Sequence, residues 1–382
     1  MQSFTLNGRQ LLFLVMVDYV LYDSSRNIYC SSKRLMQGLV LCVVVGFLLL
    51  TYFVSHGSNE TASIEPEAKD SREVYHLTDG SGVDIRVMTF NIWLSGKQVK
   101  DGFQKIVQHI LAVNPDVVCI QELSDAETFD KFLDALGDPW KGVFRGGSYY
   151  SDDGIFTRHK FYKNDSFSLT TSVGAKIELE SGVIINVVGV HLAYQSYGPY
   201  AAQNKLVTEE RQIMAGEITP ESYNRVKNIK ELIDFAKFQD WVYETDRIPL
   251  FVCGDFNVPS HRDWQENRKS EHGGWAFEWP ATKLLENYTG LVDSFRVKYP
   301  DPVKNPAHTW STVQKFQNDW NYTIPEPQDR LDFVFHKHPK LEVIDAVVYS
   351  GNVSLLPIPQ HKENAYPSDH FAIIVDFKLK ES

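Results

Sequence analysis

The 382-residue chain has only four cysteines, and two of them, Cys30 and Cys42, fall in its first 50 residues. The other two, Cys119 and Cys253, sit inside apolar, strand-like runs, VVCIQE and FVCGDFN. So few cysteines argue against a disulfide scaffold and predict two buried free thiols. Positive charge is also scarce. Against 49 Asp and Glu there are 38 Lys and Arg, for a net charge of −11. Residues 1–54 carry four basic side chains (Arg9, Arg26, Lys33, Arg34) and two acidic ones (Asp18, Asp23), so the rest is more acidic still. No clustered basic stripe is present of the kind that marks a duplex-binding groove. Nor is there a Lys/Arg-rich loop of the kind a polyphosphorylated head group needs. Internal repeats are absent. The rest, 43% hydrophobic and 23% charged, is ordinary globular composition.

One long apolar run stands apart. LMQGLVLCVVVGFLLLTYFV, Leu35 to Val54, contains no charge and is interrupted only by Gln37 and Thr51. Its length is that of a helix crossing about 30 Å of hydrocarbon. Lys33 and Arg34 flank its start, and no basic residue follows until Lys69. Positive charge stays cytoplasmic, so the expectation is a single-pass type II anchor with the bulk of the chain extracellular or lumenal. Five sequons, at Asn59, Asn164, Asn287, Asn321 and Asn352, all follow the run and are candidate N-glycan sites. The expected organisation is a cytoplasmic segment 1–34, an anchor 35–54, a polar and acidic stalk 55–82, and a catalytic domain 83–380.

Within that last region strands outnumber helices. DIRVMTFNIW reads as a strand. KQVKDGFQKIVQHILAVNPDVVCIQE reads as a helix stopped at Asn114-Pro115, then a strand. AETFDKFLDALG is an amphipathic helix ending at Gly137. Further strands are expected near 154–158, 168–178, 183–192, 248–253, 331–335, 343–349 and 371–377, with helix across 203–241. Helices between some strands but not all predict an α/β (α+β) fold, a four-layer sandwich of two mixed β-sheets flanked by helices. Between 256 and 330 the chain is loop-rich and aromatic, and long loops on a rigid scaffold usually carry substrate contacts.

FVCGDFNVPS, residues 251–260, holds the first chemical signal. An apolar strand stops at Gly254, and Asp255 and Asn257 follow, two apart. Similar polar ends recur. Asn91 follows VMTF, Glu122 ends DVVCIQE, and His191 ends INVVGV. Asp332 sits in RLDFVF, and Ser368-Asp369-His370 precedes FAIIV. One polar strand end is a turn. The same chemistry on most strands implies one edge of the sandwich where these groups converge. Carboxylates and amides without thiolates suit a hard cation such as Mg2+ or Mn2+ and argue against zinc. Asp and His beside such a cation are suited to hydrolysing a phosphoester.

In order, TFN at 89–91, QE at 121–122, HL at 191–192, GDFN at 254–257, RLDFVF at 330–335 and SDH at 368–370 resemble the endonuclease/exonuclease/phosphatase superfamily. The resemblance spans about 83–377. It implies Glu122 as principal metal ligand, with Asn91 and Asp369 around the metal, and Mg2+ or Mn2+ as cofactor. It implies Asp255 as general base, Asn257 positioning phosphate and water, and His370 stabilising the transition state with Asp332 orienting it. It also implies His191 acting on the leaving group, with Arg158 in GIFTR supporting the site from behind.

The expected substrate is a phosphodiester. HLAY, TKLLENYTGLVDSF and HTWS resemble secreted bacterial members and, more loosely, neutral sphingomyelinases. The membrane anchor and exposed aromatics favour phospholipid head groups, including a sphingomyelinase-type reaction, with nuclease activity and a catalytically inactive binding ectodomain as alternatives. A segment of about 30 residues, QSYGPYAAQNKLVTEERQIMAGEITPESYN, intervenes between HLAY and RVKNIKEL and is expected to form a rim or lid.

Overall fold

The computed structural model describes residues 82–145, 152–218 and 223–381. The expected anchor at 35–54, the segment 1–34, nearly all of the stalk 55–82 and the sequon at Asn59 lie outside the described residues. Among the described residues no helix is long and apolar enough to cross a membrane.

Twelve strands form two six-stranded sheets among these residues. The first sheet holds β1 (Val83–Asn91), β2 (Val117–Gln121), β3 (Lys141–Phe144), β4 (Gly154–Thr157), β11 (Leu341–Tyr349) and β12 (Ala372–Leu379), in the order β11-β12-β1-β2-β4-β3. The second holds β5 (Lys160–Ser168), β6 (Ser172–Glu178), β7 (Ile184–His191), β8 (Leu250–Asp255), β9 (Val292–Asp293) and β10 (Asp332–Lys337), in the order β5-β6-β7-β8-β10-β9. Each sheet has one parallel pair, β1 with β2 and β7 with β8; the other pairings are antiparallel.

Alternation along the strands builds the layers. In β1 Val87 faces the other sheet and Met88 faces out; in β8 Phe251 and Cys253 face in and Val252 out. The inward set, with Val117, Cys119, Val187, Val334 and Val375, fills the space between the sheets. Both described cysteines are buried there as free thiols. Outside the first sheet lie α1 (Gly102–Val113) and α2 (Ala126–Leu136). α1 buries Ile106, Val107, Ile110 and Val113, and ends where Asn114 turns left-handed before Pro115. Asp125 caps α2 by accepting from the Thr128 N–H at 2.8 Å. Outside the second sheet α5 (Arg225–Asp234), α6 (Ala236–Tyr243) and α7 (Pro280–Thr289) pack through Ile229, Leu232, Phe238 and Leu285. The order helix, sheet, sheet, helix is the expected sandwich.

A parallel pair needs a crossover connection. The β7–β8 crossover carries α3 (Gly198–Gln203), α4 (Glu210–Ile218), α5 and α6, so the expected helix over 203–241 is broken into pieces. Phe235, extended between α5 and α6, makes one of the breaks. Strands β3, β5 and β9 were not expected. β5, KFYKNDSFS, is an edge strand with a register shift between Phe161 and Ser166, and its charges hide the alternation. The sequon asparagines Asn287, Asn321 and Asn352 are exposed, and Asn164 lies within β5.

Candidate active site

Topology gathers the strand-end residues. β1 and β2 run parallel, so Asn91 and Gln121-Glu122 finish at one edge. β7 and β8 run parallel in register, with His191 opposite Asp255. β10 runs antiparallel to β8 and starts where β8 ends, with Asp332 opposite Asp255. β12 runs antiparallel to β1, so Asp369-His370, just before it, reach the same edge. The end of β8 needs Gly254. A Cβ there would lie 1.9 Å from the carbonyl oxygen of Val190 in the neighbouring strand. Asp255 and Asn257 are therefore carried by a backbone pressed against β7, not by a free turn.

The site converges on one atom, Oδ2 of the buried Asp255. It accepts from Asn91 Nδ2 at 3.0 Å. His191 Nε2 and His370 Nε2 each stand 3.7 Å from it. That spacing is too long for a hydrogen bond. The other Asp255 oxygen accepts from the Asn257 N–H at 2.7 Å. Each imidazole is held from behind by a carboxylate. His370 Nδ1 donates to Asp332 Oδ2 at 2.9 Å, and His191 Nδ1 to Asp152 Oδ2 at 3.0 Å. Burial by itself would lower both imidazole pKa values, but the carboxylates overrule it. His370, between Asp332 and Asp255, is pushed up to about 10, and His191, beside Asp152, is held well above the usual value. Burial raises the Asp255 carboxyl above its usual range, opposed chiefly by the His370 charge.

Glu122 adopts a left-handed backbone (φ 66°) just past β2. Its Oε1 accepts from Asn91 Nδ2 at 3.1 Å and its Oε2 from the Leu94 N–H at 2.7 Å. Asn91 thus bridges Glu122 and Asp255 through its amide nitrogen, while its Oδ1 accepts from the Trp93 N–H at 3.0 Å. Asn257, also left-handed (φ 50°), donates Nδ2–H to the Leu192 carbonyl at 3.0 Å. Asp369 is buried, and its Oδ1 has no hydrogen-bond partner. Burial, and then the nearby Glu122 charge, push its carboxyl well above the usual range, against His370.

That unpartnered oxygen tests whether a cation fits. Two acid–histidine groups, Asp255-Asp332-His370 and Asp152-Asp153-His191, are compact enough to hold a metal ion. In both, the imidazole Nδ1 is already engaged by a carboxylate, Asp332 for His370 and Asp152 for His191. Unpartnered buried oxygens lie on Asp369, Asp332 and Asp153 alike; with Glu122 they make an oxygen-rich donor set at this edge that suits a hard divalent ion.

One expectation needs correction. Arg158 does not support this edge. It donates to the Pro115 carbonyl at 3.0 Å and to Asp116 at 2.8 Å, at the start of β2. β4 runs antiparallel to β2, so the residues before β4, not those after it, reach the site. Those residues are Asp152 and Asp153, which the sequence reading missed, braced by Arg145 at 3.3 and 3.0 Å. Arg330 is buried between Asp263 and Asp293, with contacts of 2.6–3.1 Å.

Above this floor opens a cleft of about 850 Å3. Glu122, His191, Asp255, Asn257, Asp369 and His370 line its base. Its walls are aromatic: Trp93, Trp310 and Trp320 on one part, Tyr194, Tyr197 and Tyr200 on another. The expected rim is therefore present, built by α3 and α4. Trp264 and Trp279, by contrast, are core residues.

Comparison with known proteins agrees with the strand-end pattern. The Endonuclease/Exonuclease/phosphatase family pattern matches residues 88–370, and the chain belongs to that family. An uncharacterized protein of Caenorhabditis elegans is 48% identical over 303 residues, covering 79% of this chain and 94% of that one. Nocturnin of Rattus norvegicus is 22% identical over 328 residues, 78% of this chain and 66% of nocturnin. The human nocturnin catalytic domain with bound sulfate superposes with a TM-score of 0.49 and 20% identity, covering 77% of this chain and 94% of that one. The CCR4-Not complex 3'-5'-exoribonuclease subunit Ccr4 of Emericella nidulans is 23% identical over 332 residues, 72% of this chain and 47% of the subunit. This chain therefore spans just under two thirds of nocturnin and about half of Ccr4.

Proposed function

We propose that this protein is a divalent-metal-dependent phosphodiesterase whose substrate is a nucleic-acid strand or nucleotide. The observation that carries the reading is the convergence of Asn91, His191 and His370 on Asp255 Oδ2, at the base of an aromatic cleft. A bound Mg2+ or Mn2+ at Glu122 and Asp369 would neutralise the non-bridging phosphate oxygens and polarise phosphorus. Asp255 takes the proton of the attacking water as the new P–O bond forms. His370, kept charged by Asp332, donates from Nε2 to the phosphoryl oxygens. His191, kept charged by Asp152, gives its proton to the departing oxygen as the old P–O bond breaks. Asn257 has a second N–H beyond its bond to Leu192 with which to orient the phosphate.

The nucleic-acid substrate is supported by the name of the Ccr4 relative and by the cleft walls, since aromatic faces stack on bases whatever their identity. The acidic surface favours single strands or strand ends over a wrapped duplex. Phospholipid head groups remain the second reading, favoured by the exposed Leu206 and Trp320 at the cleft and by the apolar run Leu35–Val54. That run, with Lys33 and Arg34 before it, also supports a type II placement with the catalytic region lumenal or extracellular. Digestion by peptide N-glycosidase tests the placement: a mobility shift is expected, and none in a secreting host would oppose it.

The test of function compares single-stranded RNA and DNA oligonucleotides, sphingomyelin and bis(p-nitrophenyl) phosphate with Mg2+ or Mn2+, using Asp255→Ala as control. Oligonucleotide cleavage lost in the variant is expected. Sphingomyelin cleavage alone would transfer the reading to lipids.

A further inference from the structure

Arg225, the first residue of α5, takes no part in the chemistry above, yet its side chain is 0% exposed. Its guanidinium reaches three acceptors on three separate segments. Nη1 donates to Glu217 Oε1, near the end of α4, at 2.8 Å. Nη2 donates to the carbonyl of Tyr194, in the cleft wall, at 3.2 Å. Nε donates to the carbonyl of Asn257 at 2.7 Å. Glu217 is equally buried, and its second oxygen has no hydrogen-bond partner.

Such a pair is a poor device for stability. Both charges lose their hydration, and apolar side chains of the same volume pack as well or better. What the pair supplies is geometry. A guanidinium is a rigid planar fork that fixes the directions of its partners. Here the fork fixes the helical wall made by α4, the wall segment at Tyr194 just past β7, and the left-handed Asn257. Asn257 in turn holds Asp255 Oδ1 through its own N–H.

We propose that Arg225, with Glu217, is a positioning residue that ties the placement of the α3–α4 wall to Asn257 and so to the Asp255 carboxylate. The proposal rests on the phosphodiesterase reading for its kinetic consequence, but not for its structural one. A substrate that seats against the wall sets the catalytic loop through Arg225, so contacts with the wall act on kcat and not only on KM. Small diesters that never reach the wall still depend on Arg225 for the loop itself.

The test uses the full chain, with Arg225→Lys and Glu217→Gln. Arg225→Lys keeps the charge and removes the fork; Glu217→Gln keeps an acceptor and removes the charge. Amide hydrogen exchange is followed over 192–196 and 255–258 with no substrate or metal added. In Arg225→Lys both segments are expected to exchange faster together, by about tenfold or more, while β1 and β12 keep their protection. Turnover of bis(p-nitrophenyl) phosphate should lose about tenfold or more in kcat, with KM within about twofold, because small misplacements of reacting groups are costly. Glu217→Gln should move both readouts in the same direction by less, and it serves as the folded variant if Arg225→Lys does not fold. Faster exchange at the wall alone, with 255–258 unchanged, would overturn the proposal. So would an unchanged kcat in an enzyme that is active. If the wild type hydrolyses nothing, the phosphodiesterase reading fails, and the exchange result still decides the coupling.

Discussion

At the scale of single residues, Asp255 Oδ2 is the centre of the account. Asp255→Asn keeps the shape and removes the proposed general base; the expected loss in kcat is about 100-fold to 10,000-fold, measured on any diester the wild type cleaves. The two carboxylate–imidazole pairs predict a sharper comparison. Asp152→Asn removes the largest of the charges that raise His191, leaving burial opposed only by Asp255 and Asp153, so the His191 pKa falls. The alkaline limb of the pH–kcat profile should move to lower pH in Asp152→Asn, while a limb unmoved would detach His191 from the leaving group. Most of this site was legible in the sequence because strand ends announce themselves: an apolar alternating run that stops at an acid, an amide or a histidine. Asp152 and Asp153 were not, because YSDDG reads as an ordinary turn, and acids in turns are common. Arg158 misled for a related reason. It also ends a strand, and only the direction of β4 reveals that this end faces away from the site.

At the scale of elements, the supports behind the site predict stability effects. Arg330, just before β10, is bound to Asp263 and Asp293, and Arg296 donates to Asp263 at 2.7 Å. Removing one member strands a buried charge, so Arg330→Met should cost about 3–5 kcal/mol in urea unfolding. Gly254→Ala should be comparably harmful, because its Cβ would meet the β7 backbone. A further consequence lies in β10. His336 is buried, with Ser294 Oγ 2.8 Å from its Nδ1, and burial lowers its pKa to about 4. Its unfolded value is near 6.5, so the unfolded chain takes up the proton first as pH falls. The neutral imidazole's contribution is whole above about 6.5 and is lost as pH falls towards 4. The stability gap between wild type and His336→Asn, read by urea unfolding, should therefore shift against the wild type over that window. A gap constant with pH would contradict the buried neutral imidazole. Helices α1 and α2 were readable from their apolar spacing and their stops at Asn114 and Gly137. The crossover helices were readable only as a helical region, because nothing in the local sequence marks the extended Phe235 that separates α5 from α6. The edge strand β5 was unreadable for the opposite reason: an edge needs no alternation.

At the scale of the whole molecule, the order helix, sheet, sheet, helix was visible as a pattern of strands with helices between only some of them. Which strands pair in parallel was not, and that pairing is what places Asn91 beside Glu122 and His191 beside Asp255 at one edge. The acidic net charge bears on the partner more than on the fold. A strand or nucleotide bound mainly through the cleft should show a shallow dependence of affinity on salt, unlike the steep loss of a protein covering many phosphates. The most direct measurement is the initial rate of bis(p-nitrophenyl) phosphate hydrolysis by the full chain as Mn2+ or Mg2+ is titrated, for wild type, Glu122→Gln and Asp255→Asn. The account predicts no rate in chelator and a saturable rise with metal in the wild type. It predicts a rise displaced to higher metal concentration in Glu122→Gln, and a rate near background at every concentration in Asp255→Asn. Hydrolysis that persists in chelator, or that survives undiminished in Asp255→Asn, would contradict it.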